Sequence, residues 1–200
     1  MSEKENAANA KKLGYVGRTP GTERDSNAWF TPSDYIEASR AALGGTIHLD
    51  PFSSKEANKV VKAVQFYTEE DDAFSQDWSL DKDGNKVGSD SERTLFMNPP
   101  YSGKLCSEAV GRFLDEWEKS SFTQGVFLVN NATETKWFQR ALKLANAVCF
   151  TNHRISFWNA DGKKMSGNTR GQAFFYFGKD ISNFEKAFKE YGTVLPIKQK

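Results

Sequence analysis

Thr94-Leu95-Phe96-Met97-Asn98-Pro99-Pro100-Tyr101-Ser102-Gly103 is the stretch around which the rest of the chain is arranged. Residues 94–97 form a short apolar run of β type. The two prolines after Asn98 carry no backbone N–H and cannot continue a central strand. Beyond Gly103 the apolar residues Val110, Phe113, Leu114 and Trp117 recur at helical spacing. A strand that delivers an amide, two prolines and an aromatic ring to its carboxyl end, then gives way to a helix, is the local form of a site in an open α/β sheet.

The quartet Asn98, Pro99, Pro100 and Tyr101 suits one kind of chemistry. The Asn98 amide oxygen and the Pro99 carbonyl are both acceptors for the hydrogens of one NH2 group, and proline brings no competing donor. Two such acceptors turn toward an electrophile a lone pair otherwise delocalised into a ring or carbonyl. Tyr101 can lie flat on a base taken out of a duplex. A proline-rich turn with a packed tyrosine is the plain alternative for Asn-Pro-Pro alone. Tyr101 and the apolar run before the motif argue for methylation of an amino group.

With Trp29-Phe30-Thr31-Pro32 upstream, Leu49-Asp50-Pro51-Phe52 between, and Trp137-Phe138 and Arg154-Ile155-Ser156-Phe157 downstream, residues 27–192 resemble the phage-type (Dam-like) DNA N6-adenine methyltransferases. The resemblance implies S-adenosylmethionine as cofactor, double-stranded DNA as partner and catalysis by Asn98, Pro99, Pro100 and Tyr101. It gives Trp29, Thr31 and Pro32 the methionine end of the cofactor, where periodicity alone would make Trp29 simply core. Asp50, with Pro51 and Phe52, ends a short β-rich run at residues 46–49 and precedes a helix, as in a Rossmann-like first crossover. Its carboxylate is placed to meet the α-ammonium or the sulfonium, with Ser53 or Ser54 and the helix N-terminus toward the cofactor carboxylate. Many methyltransferases carry a Gly-x-Gly turn here, and this chain has Ser53-Ser54 instead.

A second strand at residues 64–67 runs into Glu69-Glu70-Asp71-Asp72. Glu70 and Asp71 are the candidates for a ribose ligand, since a carboxylate offers paired acceptors to two hydroxyls. The run itself singles out neither, and most of it reads as a solvated loop. Asp77 with Trp78 forms a candidate adenine clamp, an acceptor for the amino group beside an apolar ring. A turn aspartate next to a core tryptophan is the bland alternative. Asn98 borders both cofactor and target.

Composition sets the outer bounds. Two hundred residues with 38% hydrophobic, 14% aromatic and 26% charged content make a globular domain with a full core. No apolar run reaches the roughly 18 residues of a membrane span, and Met1 to Lys12 has no apolar signal segment. Cys106 and Cys149 stand alone, in no metal-ligand spacing. They point to a reducing cytoplasm, that of a bacterial host if the gene is phage-borne, and to no metal site. Net charge is +1, but residues 50–92 carry eleven acidic against five basic groups, and residues 151–200 nine basic against four acidic. The acidic stretch suits a cationic cofactor and the basic one a phosphate backbone.

Residues 1–25 are polar and aperiodic and read as a flexible tail, leaving 26–200 as one methyltransferase domain. Tyr35, Ile36, Ala38, Ala41, Ala42 and Leu43 predict a helix capped by Thr31 or Ser33 and ended by Gly44-Gly45. Further helices are expected over 57–63, to about 119, after Trp137 and over 183–191. Strands are expected over 125–129, 147–150, 155–158 and 173–177, the last two antiparallel. The loop at residues 159–171 holds Lys163, Lys164 and Arg170, which with Arg154 are the candidate DNA contacts.

The fold implied is α/β, a Rossmann-like S-adenosylmethionine-dependent methyltransferase fold with a largely parallel, doubly wound sheet and an antiparallel strand near the C-terminus. The oligomeric state expected is monomer or weak dimer. Other readings are methylation of an RNA base, cytosine N4 or a protein amide, and an inactive relative that only binds DNA.

Overall fold

The structure, a computed structural model, describes residues 29–86, 92–158, 163–164 and 168–198. The expected tail at 1–25 and residues 159–162 and 165–167 of the basic loop lie outside the described residues. The described elements run α1 (Ser33–Ala42), β1 (Leu49–Asp50), α2 (Lys55–Val61), β2 (Gln65–Phe66), β3 (Thr94–Met97) and α3 (Gly103–Glu118). They continue with β4 (Gln124–Asn130), α4 (Lys136–Leu144), β5 (Ala147–Thr151), β6 (Gln172–Phe177), α5 (Ile181–Phe188) and β7 (Gly192–Pro196).

All seven strands join one sheet in the order β2-β1-β3-β4-β6-β5-β7. β2, β1, β3 and β4 are mutually parallel. β6 lies antiparallel between β4 and β5, and β7 closes the far edge antiparallel to β5. The chain leaves β1 outward to β2, then returns past β1 to β3. Strand order therefore reverses between β1 and β3, and a crevice outside their carboxyl ends is where open α/β sheets bind ligands.

The pleat sorts the core into two layers. On one face Leu95, Met97, Phe127, Val129, Phe175 and Phe177 pack against Val110, Phe113 and Leu114 of α3 and Phe138 and Ala141 of α4, all fully buried. On the other, Phe96, Val126, Leu128, Phe174 and Tyr176 meet Tyr35 and Ile36 of α1 and Phe184 and Phe188 of α5. Helices thus cover both faces, as the near-continuous apolar runs of β3 and β4 require. Gly125 of β4 has a packing reason: a Cβ there would stand 2.6 Å from the Phe113 ring and 2.8 Å from that of Phe122.

Three helices start on a side-chain cap, α2, α4 and α5, whereas α1 and α3 have none: the position before α1 is Pro32, so the cap expected from Thr31 or Ser33 is not formed. Ser54 caps α2 by accepting from Ala57 N at 3.0 Å, and Asp180 caps α5 through Asn183 N at 2.9 Å. Gly44 and Gly45, at φ +80° and +104°, turn the chain out of α1 while their N–H groups return to Ala41 and Arg40 carbonyls.

Two further expectations are corrected. Residues 155–158 alternate buried and exposed as a strand would, but they join no sheet. Ile155 N is taken by the Gln172 side chain at 3.0 Å, and only Trp158 forms bridges, to Phe30 and Lys164. The strand antiparallel to β5 at the sheet's edge is instead β7, whose short Thr193-Val194-Leu195 run is half exposed and ends on a proline, the mark of an edge strand and not of a core one. The Trp158 bridge is a two-point clasp: Phe30 N donates to Trp158 O at 2.7 Å and Trp158 N to Phe30 O at 3.0 Å.

Candidate active site

Asn98 is the first residue beyond β3, half-buried at the reversal of strand order. Its side-chain NH2 donates to Thr31 Oγ1 at 3.1 Å and lies 3.4 Å from the Trp29 carbonyl. Its Oδ1 accepts from the Tyr101 hydroxyl at 2.7 Å. Tyr101 is half-buried as a whole, but its hydroxyl sits where burial holds it well above the ordinary tyrosine range, so it stays a donor. The Tyr101 ring meets Phe157 edge-on at 6.0 Å between centroids, and Phe157 lies 5.5 Å from Trp29. Pro99 is buried and Pro100 half-buried.

Asp50 ends β1 across the same crevice and is 3% exposed. Burial pushes its carboxyl up to about 7, partly offset by the Ser53 hydroxyl and the Phe52 N–H, which lies 3.4 Å from Oδ1. The Ser53 Oγ lowers that value yet reaches no partner in good hydrogen-bond geometry among the described residues, and the buried Trp29 Nε1 likewise has none. Ser54 is occupied as the helix cap, so of the two serines it is Ser53 whose hydroxyl remains available. Near the β1 end the structure thus has a buried carboxyl with no ion-pair partner among the described residues beside a donor-acceptor hydroxyl, and Trp29, next to Asn98, has an unpartnered indole N–H. They fit a cationic cofactor with polar ends.

Other predicted residues fall elsewhere. Trp78 is fully buried, its Nε1 donating to Ala73 O at 2.8 Å, with the Arg112 guanidinium 5.3 Å over its ring. It belongs to the core and presents no open face to an adenine. Phe52, half-buried and edge-on to Phe74 and Trp78, is the aromatic ring that stands beside Asp50. Asp77 is exposed and accepts from Ser79 N and Oγ at 2.9 and 2.6 Å, which holds its carboxyl below the usual range. It lines a polar cleft with Gln76, Lys86 and Arg112. Asp71 is turned back onto Thr68, accepting from its N and Oγ1, both at 2.8 Å. Glu70 stands exposed in the same turn. Thr31 and Pro51 are buried and Pro32 half-buried at the site's walls.

Because β5 runs in the same direction as β4, the segment after Thr151 emerges at the sheet edge that carries Asp50 and Asn98. Arg154, Lys163, Lys164 and Arg170 are exposed there. Among the described residues no helix is long and apolar enough to cross a membrane, and no group of three His, Cys, Asp or Glu could hold a metal ion. Cys106 and Cys149 are buried with thiols pushed up to about 11 and about 12.

Phe157 and the Thr31 contact to Asn98 escaped sequence reasoning as site features. Only the aromatic alternation through 155–158 hinted at the first, and nothing local marks a contact spanning 67 residues.

A doubly wound sheet with an amide and a carboxylate beyond adjoining strand ends at its reversal point is an open α/β architecture with its polar residues where such sheets bind ligands. The family model of DNA N-6-adenine-methyltransferases (Dam) matches residues 17–191, and the chain belongs to that family. It is a DNA adenine-N6 methyltransferase. The comparison with curated proteins gave no match.

Proposed function

We propose that the methyl donor is S-adenosylmethionine, that the acceptor is adenine N6 in double-stranded DNA, and that Asn98, Pro99, Pro100 and Tyr101 carry the reaction. The single observation that supports this most is the placement of Asp50 and Asn98 beyond the adjoining carboxyl ends of β1 and β3, where strand order reverses. The donor supplies an electrophilic methyl group when bound. Asp50 holds its positive end, Ser53 and Trp29 contribute hydrogen bonds, and Phe52 packs on its apolar part.

Asn98 Oδ1 and the Pro99 carbonyl accept the two N6 hydrogens, which draws the nitrogen lone pair out of conjugation with the ring. Fixed acceptors of this kind favour the charge-building transition state over the flat ground state. Pro100 keeps a further N–H out of the site. The Tyr101 ring stacks on the extruded base, and Arg154, Lys163, Lys164 and Arg170 hold the phosphates around it.

The purified protein, given methyl-labelled S-adenosylmethionine and duplex DNA, should yield N6-methyladenine on nucleoside analysis. Label confined to another base, or transferred equally well to RNA or protein, would overturn the assignment of substrate.

A further inference from the structure

We propose that Thr31 is a positioning residue for the Asn98 amide, and that the Tyr101 hydroxyl is a placeholder for the target amino group. The inference rests on the proposed role of Asn98 and concerns how its amide comes to face the right way.

A primary amide has one accepting end and one donating end, and only the accepting end can serve an incoming NH2. The Trp29 carbonyl decides which end goes where. It can only accept, so the atom 3.4 Å from it is the NH2 group, and the same group reaches Thr31 Oγ1 at 3.1 Å. Oδ1 is thereby turned toward Tyr101, whose hydroxyl donates to it at 2.7 Å. Each end of the amide has a partner matched to its polarity, and a rotation by 180° would set the NH2 against the Tyr101 hydroxyl and oppose acceptor to acceptor at Trp29.

Helix capping does not account for the Thr31 hydroxyl. Thr31 precedes Pro32, the N-cap of α1, and α1 receives no side-chain cap bond. Thr31 is 8% exposed, so the hydroxyl is buried beside Asn98. The Phe30 clasp to Trp158 pins the residue between them, and the Trp29 backbone carbonyl and the Thr31 side chain on either side of it both reach the Asn98 NH2. The amide is anchored before any substrate arrives, the preorganisation that acceptor-based catalysis requires.

At the other end, the Tyr101 hydroxyl fills one of the two acceptor directions of Oδ1. A target NH2 that arrives over Tyr101 comes from that same side and takes the hydroxyl's place, which leaves the ring free to turn its face to the base. An amino group replaces an O–H as donor to the same oxygen, so one hydrogen bond is exchanged for another.

The test is Thr31→Val, which keeps shape and removes the hydroxyl, with Thr31→Ser as the conservative control. Single-turnover methylation of duplex DNA at saturating S-adenosylmethionine should fall about 10- to 100-fold in Thr31→Val, the loss found when residues that orient metal-ligating side chains are removed. Thr31→Ser should recover most of it. Cofactor affinity, measured by titration calorimetry without DNA, should change less than about threefold. A tenfold or greater loss of affinity with the saturated rate intact would make Thr31 a cofactor ligand and overturn the inference. An unchanged rate would overturn it too.

If Thr31→Val loses its cooperative melt, Tyr101→Phe decides. Removing the placeholder should lower the KM for DNA about two- to tenfold, the net worth of one hydrogen bond, and an unchanged or higher KM overturns the proposal. Absence of N6-methyladenine with the wild-type enzyme would instead overturn the proposed function, so the two failures are distinguishable.

Discussion

Leu49 of β1 pairs in parallel register with Leu95 of β3. This one pairing brings Asp50 and Asn98, 48 positions apart in the numbering, to adjoining carboxyl ends, each one to three residues beyond the paired leucines. Their nearness is a product of register, and a slip of one strand by one residue would turn its side chains to the opposite faces.

Asn98→Ala removes the acceptor proposed for N6. Turnover should fall by about 10² to 10³, the usual consequence of losing one preorganised partner of a developing charge. Cofactor affinity should move far less. Single-turnover rates near wild type would refute the role of Asn98.

Asp50→Ala should weaken S-adenosylmethionine by about 1 to 3 kcal/mol, the contribution of a charge-assisted hydrogen bond, as read by calorimetry. pH supplies an independent check. The folded carboxyl is raised from 3.8 to about 7 by burial. The folded protein therefore binds this proton more tightly than the unfolded chain. The associated stability is fully present below about 4 and is lost as pH rises through about 7. Asp50→Asn should flatten that decline in denaturant midpoints. A cationic ligand favours the ionised form, so cofactor binding near pH 6 should release a proton. Heats that do not vary between buffers of different ionisation enthalpy would count against Asp50 as its partner.

Replacing Lys163, Lys164 and Arg170 together with alanine should weaken DNA binding alike across sequences. The salt dependence of log K should flatten by about 0.9 for each phosphate that is no longer neutralised. An unchanged slope in filter-binding or anisotropy titrations would make these residues an ordinary exposed loop.

Arg93 concerns stability. It is 3% exposed, and its guanidinium donates to the carbonyls of Trp78 and Leu80 at 2.8 and 2.6 Å and to Gln65 Oε1 at 3.2 Å. It ties the loop before β3 to the sheet. Arg93→Ala leaves those acceptors unpaired and should destabilise the fold by at least about 2 kcal/mol, visible in urea denaturation. A shift below about 0.5 kcal/mol would mean that the loop finds other partners.

How far the sequence could be read depended on whether a residue's role is local. Val110, Phe113, Leu114 and Trp117 announced α3 because a helix buries one stripe, and the apolar run through Leu128 announced β4 because a central strand is covered on both faces. Asn98 and Asp50 were legible for a related reason, as polar residues at the ends of apolar runs. Trp78 was not, since an aspartate–tryptophan pair in a turn looks the same whether the ring faces a ligand or the core. Residues 155–158 showed alternation, but alternation reports an extended chain with one buried side and says nothing of its hydrogen-bond partner. β7 gave the converse case, with pairing supplied by β5 and little burial of its own. The bond from Thr31 to Asn98 depends on how two distant loops pass each other, which no local pattern encodes.

The clasp between Phe30 and Trp158 gives the short segment 29–31 two neighbours at once. One edge is stitched to the loop that bears the basic residues, and the other holds the Asn98 amide. The distance between those attachments is a single residue. A strut so short has little slack, so displacement of Trp158 is passed to the Trp29 carbonyl and the Thr31 hydroxyl nearly undiminished. The aim of the amide is thereby referenced to the segment that bears the basic residues as well as to the sheet, and the two share one ruler.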